Sequence, residues 1–252
     1  AMAMGDSIAV KAPAKLNLSL DVLGEDGKGY HLLDGVMLAG DLCDTLTLRW
    51  VAGEGIEVSC NHPDGPQNAD NLAAKAARLF GEKAGGLSLP GKLLIQMEKQ
   101  IPMQAGMAGG SADAAAVLVG LNALLNTGLD LSRLMELGLC LGADVPFCLL
   151  GGCARAKGRG ERLEPLPLPS GALVVAKPFG GNDTSRAFAL YDSFPGKLLR
   201  PDVSSMVQAL HRDDAEGVGR FMGNVFQQVC APKGVQALAQ ALEQGALGAV
   251  MT

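Results

Sequence analysis

The sequence is poor in aromatic residues, in histidine and in any paired cysteine pattern. Aromatic side chains make up 4% of the chain, with one tryptophan and two tyrosines. So few rings exclude a stacking platform for long single strands of nucleic acid. The histidines are His31, His62 and His211, and none forms a helical H-E-x-x-H pair for zinc. The six cysteines include no C-x-x-C, and a chain this rich in apolar residues needs no disulfide framework. Cys140, Cys148 and Cys153 could be drawn as metal ligands; reduced, buried thiols are the reading favoured here. Basic charge is also scarce. Lysine and arginine number 21 against 26 acidic residues, a net charge of −5, which argues against a non-specific nucleic-acid surface. No long apolar run is unbroken. The most apolar stretch, Leu137–Ala154, is interrupted by Asp144, Pro146 and Gly151-Gly152, so no membrane span is expected. No secretory signal is visible, and a cytoplasmic location is expected.

What is present is core material. Hydrophobic residues make up 48% of 252, enough for one large domain or two small packed ones. Ile8–Lys11 and Leu16–Val22 read as short strands around Ala12-Pro13-Ala14. In the second, Leu16, Leu18 and Leu20 alternate with Asn17, Ser19 and Asp21, the period of a half-buried strand. Thr45–Val51 is expected to pair with Gly55–Cys60 through Ala52-Gly53. A helix capped by Asp70 or Asn71 follows, then a strand at Leu93–Glu98. Helices are expected near Ser111–Leu125 and Leu131–Leu141, and a hairpin of Phe147–Leu150 with Cys153–Lys157 around Gly151-Gly152. Beyond these, the pattern predicts a strand at Ala172–Lys177 and a helix at Thr184–Tyr191. Helices near Val203–Leu210, Gly217–Cys230 and Gly234–Glu243 follow, with a last strand-like run at Leu247–Thr252. Strands and helices mix without regular alternation, which indicates an α+β class, with a soft boundary near Leu166–Ser170.

One segment carries chemistry. Ile101-Pro-Met-Gln-Ala-Gly106-Met-Ala-Gly109-Gly110-Ser111-Ala-Asp113 leaves a strand and enters an alanine-rich helix. Glycines let the backbone approach a ligand, and the first helical turn points unpaired amides outward at the positive end of the helix dipole. A phosphate cradle is one reading; close packing of a helix on a sheet is the other. The Walker pattern fails, because Gly110 is followed directly by Ser111, and the dinucleotide fingerprint fails on spacing.

The same segment resembles the second motif of the GHMP kinases, the group of galactokinase, homoserine, mevalonate and phosphomevalonate kinases, with Met107 where the family carries leucine. Ala12-Pro-Ala-Lys15-Leu-Asn17-Leu, Gly29-Tyr30-His31-Leu-Leu and Leu141-Gly-Ala-Asp144-Val-Pro-Phe147 resemble the motifs of the branch that acts on a diphosphocytidyl-linked polyol. Gly151-Gly152, Gly158, Gly160-Glu161, Lys177-Pro178, Thr184, Phe188 and Gly223-Asn224 follow in family order.

The resemblance implies a GHMP kinase-like two-lobed fold. An N-terminal ribosomal-S5-like α/β lobe would span residues 1–166, and a C-terminal ferredoxin-like α+β lobe residues 167–252. It implies a kinase using ATP and Mg²⁺ on a small-molecule acceptor, the 2-hydroxyl of a cytidine-diphosphate-linked polyol, in the non-mevalonate route to isoprenoid precursors. Lys15 and Asp144 would be catalytic. Pro102, Met103, Gln104, Ala105, Gly106, Met107, Ala108, Gly109, Gly110, Ser111 and Ala112 would hold the phosphates of ATP, with Asn71 and Lys99 near its adenine. Asn17, Tyr30, His31 and Phe188 would contact the substrate, the aromatic faces sandwiching the cytosine. No protein-held metal cluster, nucleic acid or membrane partner is expected, and the chain would be a monomer or weak homodimer. Read without the family, Asp144 is also a turn or cap residue, Lys15 a snorkelling surface lysine, and Tyr30-His31 an ordinary loop pair. The family continues past Gly248-Ala-Val-Met-Thr252 with a third glycine-rich motif, so its tail is expected to be absent. Another GHMP kinase of homoserine or mevalonate type, or a non-catalytic nucleotide-binding protein, are the alternatives.

Overall fold

The computed structural model describes residues 6–62, 71–83, 91–178, 181 and 184–252. The elements, in chain order, are β1 (Ser7–Glu25), β2 (His31–Val51), β3 (Ile56–Cys60), α1 (Leu72–Lys83), β4 (Lys92–Glu98), α2 (Gly109–Leu124), α3 (Leu131–Leu139), α4 (Val145–Leu150), β5 (Cys153–Gly158), β6 (Arg162–Leu166), α5 (Thr184–Asp192), α6 (Val203–His211), α7 (Ala215–Arg220), β7 (Gly223–Asn224), α8 (Val225–Cys230) and α9 (Val235–Glu243). They group into two compact units. Unit 1 holds residues 1–15, 40–101 and 108–151; unit 2 holds 16–39, 102–107 and 152–252. The boundary expected after residue 166 therefore lies inside unit 2.

In unit 1, β4 lies between β2 and β3. It pairs antiparallel with Thr45–Val51 and parallel with Ile56–Cys60. The expected hairpin of Thr45–Val51 with Gly55–Cys60 is thus incorrect. Leu93, Ile95 and Met97 of β4 are all buried, whereas β3 buries Val58 alone, and the more deeply covered strand takes the central place that a sequential hairpin would have closed. Helices α1 and α2 pack together through small residues: Ala73, Ala74, Ala76 and Ala77 of α1 and Ala112, Ala114, Ala115 and Ala116 of α2 are buried. Gly120 of α2 meets Leu48 and Val10 so closely that an added Cβ would lie 3.2 Å from Leu48. Asn71 accepts from the Ala73 amide at the start of α1, while Asp70 lies outside the described residues. The expected strand at Phe147–Leu150 is instead the helix α4, with Pro146 in its first turn, where proline's fixed φ and missing N–H cost nothing.

In unit 2, Ser19 and Leu20 of β1 pair with β7, Leu33–Leu38 of β2 pair with β5, and β5 forms a hairpin with β6. Gly158 in that turn has φ 71°, and an added Cβ would collide with the Glu161 carboxylate, which accepts from the Arg159 amide. One core cluster gathers Leu18, Val36, Leu38, Cys153, Met206 and Leu210; another gathers Leu20, Val22, Ala187, Val225 and Phe226.

Four further expectations change. Ile8–Lys11 and Leu16–Val22 are one continuous strand, and its polar face is as buried as its apolar one: Lys15, Asn17, Ser19 and Asp21 are all below 10% exposed. A central strand is covered on both sides, so alternation does not mark a solvent face here. Gly217–Cys230 is broken into α7, β7 and α8, each helix with its own cap, Asp214 on Gly217 and Asn224 on Phe226. Ala172–Lys177 and Leu247–Thr252 form no strand, because a strand exists only where a partner edge completes its ladder. Cys140 is exposed rather than buried; the six cysteines are free thiols.

Candidate active site

Lys15 and Asp144 meet in unit 1. Lys15 Nζ lies 3.9 Å from Asp144 Oδ2. Lys15 points from the buried face of β1, with 6% of its surface exposed, and does not snorkel. Asp144 occupies the N-cap position of α4, but its side chain makes no capping hydrogen bond. The motif explains this local fold. Val145 and Phe147 are buried anchors, and α4 presses on α3 so tightly that a Cβ on Gly138 would sit 2.8 Å from Val145. The carboxylate is left at the helix start, about a third exposed. At 3.9 Å the pair is too far apart for a direct hydrogen bond, which leaves room for a hydroxyl to bridge it.

The same unit holds the start of α2. Ala108, at its N-cap, has φ 52°, and Gln104 and Gly106, which belong to unit 2, have φ of 53° and 71°. Non-glycine residues at positive φ cost energy and mark an over-determined backbone. Met107 and Ala112 are buried, whereas Met103 and Gly110 are exposed and Pro102, Ala105 and Ser111 partly so. An added Cβ on Gly142, two residues before Asp144, would lie 4.0 Å from Ser111 Oγ, so the α2 start neighbours the Lys15–Asp144 pair.

Lys99 is held by two buried carboxylates. Its ammonium hydrogen bonds to Asp44 Oδ2 and, at 2.6 Å, to Asp113 Oδ2. Asp44 Oδ1 also accepts from the amides of Gln100 and Ile101, at 2.6 and 2.8 Å. Burial works against the Lys99 charge, yet the two carboxylates hold its pKa above the ordinary lysine value. Burial pushes Asp113 up to about 7, against the pull of Lys99. Asn71 is buried at its cap and donates to Met97 Sδ. Met97 lines a cavity of about 420 Å³ together with Ser59, Cys60, Asn61, Gln96, Glu98 and Gln100.

Unit 2 gathers the aromatic residues of the sequence analysis. His31 stacks on Phe188 with ring centroids 4.4 Å apart, and Tyr191 meets the His31 ring edge-on. Asp192 Oδ1 lies 2.7 Å from His31 Nε2, and Glu25 Oε1 lies 3.9 Å from it. These three residues bring one ligand atom each within 4.8 Å of one another, the spacing of a possible metal set. Tyr30 is half exposed, with the Arg159 guanidinium 3.4 Å over its ring. The turn before it is closed by Asp26, which accepts from the amides of Lys28 and Tyr30. Asn17 donates its backbone N–H to Thr252 Oγ1, while its side-chain oxygen is buried with no partner among the described residues.

Sequence reading missed Asp44, Asp113, Glu25 and Asp192. Only Asp113 stood inside a recognised motif; Asp44 and Asp192 lie 55 and 161 residues from the groups they meet, and Glu25, six residues before His31, stands in no motif.

These observations fit the comparisons with known proteins. The family model described as the GHMP kinases N terminal domain matches residues 71–152. A protein of Pelotomaculum thermopropionicum named 4-diphosphocytidyl-2-C-methyl-D-erythritol kinase is 42% identical over 249 residues, covering 97% of this chain and 85% of its own. The chain belongs to the 4-diphosphocytidyl-2-C-methyl-D-erythritol kinase family. A second member of that kinase family, from Bacillus cytotoxicus, is 42% identical over 88% of this chain and 75% of its own. A crystal structure of a 4-(cytidine 5'-diphospho)-2C-methyl-D-erythritol kinase superposes with a TM-score of 0.71 at 32% identity, over 94% of this chain and 83% of that one. The homoserine kinase of Cytophaga hutchinsonii gives the same TM-score at 22% identity, over 98% and 82%, and shares the fold. The α+β architecture is therefore the GHMP kinase fold, and the chain is a kinase with ATP as co-substrate and a small molecule as acceptor. No described helix is long and apolar enough to cross a membrane.

Proposed function

We propose that this kinase transfers the γ-phosphoryl group of ATP to the 2-hydroxyl of 4-diphosphocytidyl-2-C-methyl-D-erythritol, a cytoplasmic step of the non-mevalonate route to isoprenoid precursors. One observation carries the reading: an uncapped Asp144 carboxylate 3.9 Å from a buried Lys15, beside the start of α2. Asp144 accepts the proton of the attacking hydroxyl. Lys15 favours the ionised Asp144 and offsets charge developing on the transferred group. The outward amides of Gly109, Gly110 and Ser111 take the ATP phosphates. The cavity beside Met97 and Gln100 takes the adenine, with Asn71 setting the position of Met97. Among the described residues the cluster with metal-ligand spacing is Glu25, His31 and Asp192 of unit 2, so Mg²⁺ would be held mainly by the ATP phosphates and would supply charge neutralisation there.

On the acceptor side, Phe188 offers an aromatic face to the cytosine, and His31, fixed by Asp192, offers ring nitrogen chemistry to its polar edge. Tyr30 offers a second face on release from Arg159. Asn17 supplies an unmet buried oxygen to a substrate donor. The test is ATP-dependent phosphorylation with purified protein and three acceptors. Turnover of the diphosphocytidyl substrate is expected, without turnover of homoserine or mevalonate. The reverse preference would overturn the assignment.

A further inference from the structure

We infer that Asp44 is a positioning residue for ATP: through Lys99 and Asp113 it presets the backbone that receives the phosphates. The inference rests on the reading that the start of α2 binds those phosphates.

Asp44 has no exposed surface. A fully buried carboxylate is costly unless its lone pairs are met, and here each oxygen has work. Oδ1 receives two successive amides, Gln100 and Ile101, where the chain leaves β4. Oδ2 receives the Lys99 ammonium, which reaches on to Asp113 in the second turn of α2. One group thus ties β2, the end of β4 and α2 together, through charge-assisted bonds of the stronger kind. Lys99 is spent in this linkage. Its ammonium, 6% exposed, lies beneath Gly109: a Cβ there would sit 3.4 Å from Nζ and 3.3 Å from Ile101 Cγ2. Gly110, the next residue, has open space where its Cβ would be. The linkage therefore fixes the inner side of the first turn and leaves the outer side free for a ligand. Asp113 Oδ1 is also buried with no partner among the described residues, so the assembly was not built for stability alone. A carboxylate kept half-satisfied costs stability, and active sites are where such costs are retained.

Asparagine at position 44 cannot reproduce these bonds. If its oxygen faces the two amides, its NH₂ faces the Lys99 ammonium, donor against donor. Asp44→Asn in the full chain is expected to raise KM for ATP at least tenfold. It should weaken binding of a non-hydrolysable ATP analogue by the same factor, with KM for the diphosphocytidyl substrate within twofold. A purely structural role would lower the active fraction, hence kcat, and leave KM for ATP unchanged. Gly110→Val, whose Cβ would meet no atom within 4 Å, runs in parallel. If Asp44→Asn unfolds cooperatively and binds ATP as the wild type does while Gly110→Val loses it, the positioning role is overturned and the phosphate reading stands. If both variants bind ATP normally, the phosphate reading falls and the positioning role falls with it. Should Asp44→Asn fail to fold, Asp113→Asn keeps both amide bonds to Asp44 and only weakens the grip on Lys99. A KM for ATP raised at least threefold then supports the role, and an unchanged one overturns it.

Discussion

His31 and Phe188 stack 24° from parallel with ring centroids 4.4 Å apart, a histidine at the first position of a strand resting on the face of a phenylalanine in a helix far along the chain. Tyr191 meets the His31 ring and Phe226 the Phe188 ring edge-on, which holds both ring planes from the sides.

Removing that face tests base recognition. Stacking of a base on an aromatic ring is worth about 1–3 kcal/mol. Phe188→Ala is expected to raise KM for the diphosphocytidyl substrate at least fivefold, while KM for ATP stays within twofold. Steady-state kinetics with each substrate varied in turn decide it, and equal changes in both constants would count against the assignment.

Asp144→Ala separates chemistry from stability. A positioned general base contributes roughly 10²–10⁴-fold to rate, so kcat should fall by at least a factor of about 10². The carboxylate caps nothing and is partly solvated, so the urea midpoint should barely move. A variant with near-normal turnover would remove Asp144 from the catalytic role.

Gly110 offers a clean steric probe. Its side-chain direction meets no atom within 4 Å, and glycine in a helix is itself unfavourable by roughly 0.5–1 kcal/mol relative to alanine. Gly110→Ala is therefore expected to stabilise the fold slightly, whereas Gly110→Val should weaken ATP analogue binding at least tenfold. Calorimetric titration of the analogue reads the second effect.

Asp113 makes stability depend on pH. Burial raises its folded pKa to about 7, against an ordinary 3.8. Between those values the folded chain keeps a proton that the unfolded chain has lost. This group's contribution to stability therefore declines as pH rises through that window, and levels off above about 7, with a limiting slope of about 1.4 kcal/mol per pH unit. Asp113→Asn removes the proton, so its stability relative to the wild type should improve from pH 5 to pH 8 and then stay flat. Urea unfolding at fixed pH values measures this. A difference independent of pH would show that Asp113 ionises normally.

Several helices were legible because their signals are local. The start of α2 at the glycine-rich segment and the capped α1 each declare themselves within a dozen residues. Ala172–Lys177 and Phe147–Leu150 misled for the complementary reason. A short apolar run reads alike as strand or helix until its neighbours are known, and Pro146 with a tight α3 contact makes the second run helical. The half-buried reading of Leu16–Val22 failed because covering of the polar face depends on elements elsewhere in the chain.

The sequence alone determined the family: Lys15, Asp144 and the glycine-rich segment stand in contiguous motifs, which local spacing displays without any partner from elsewhere in the chain. Tertiary structure decided who holds whom. It placed β4 between β2 and β3, left Asp144 uncapped beside Lys15, and took Lys99, expected near the adenine, into a bond network with Asp44 and Asp113. Those partners are set by packing and by the need to satisfy buried charge, and neither leaves a mark in local spacing.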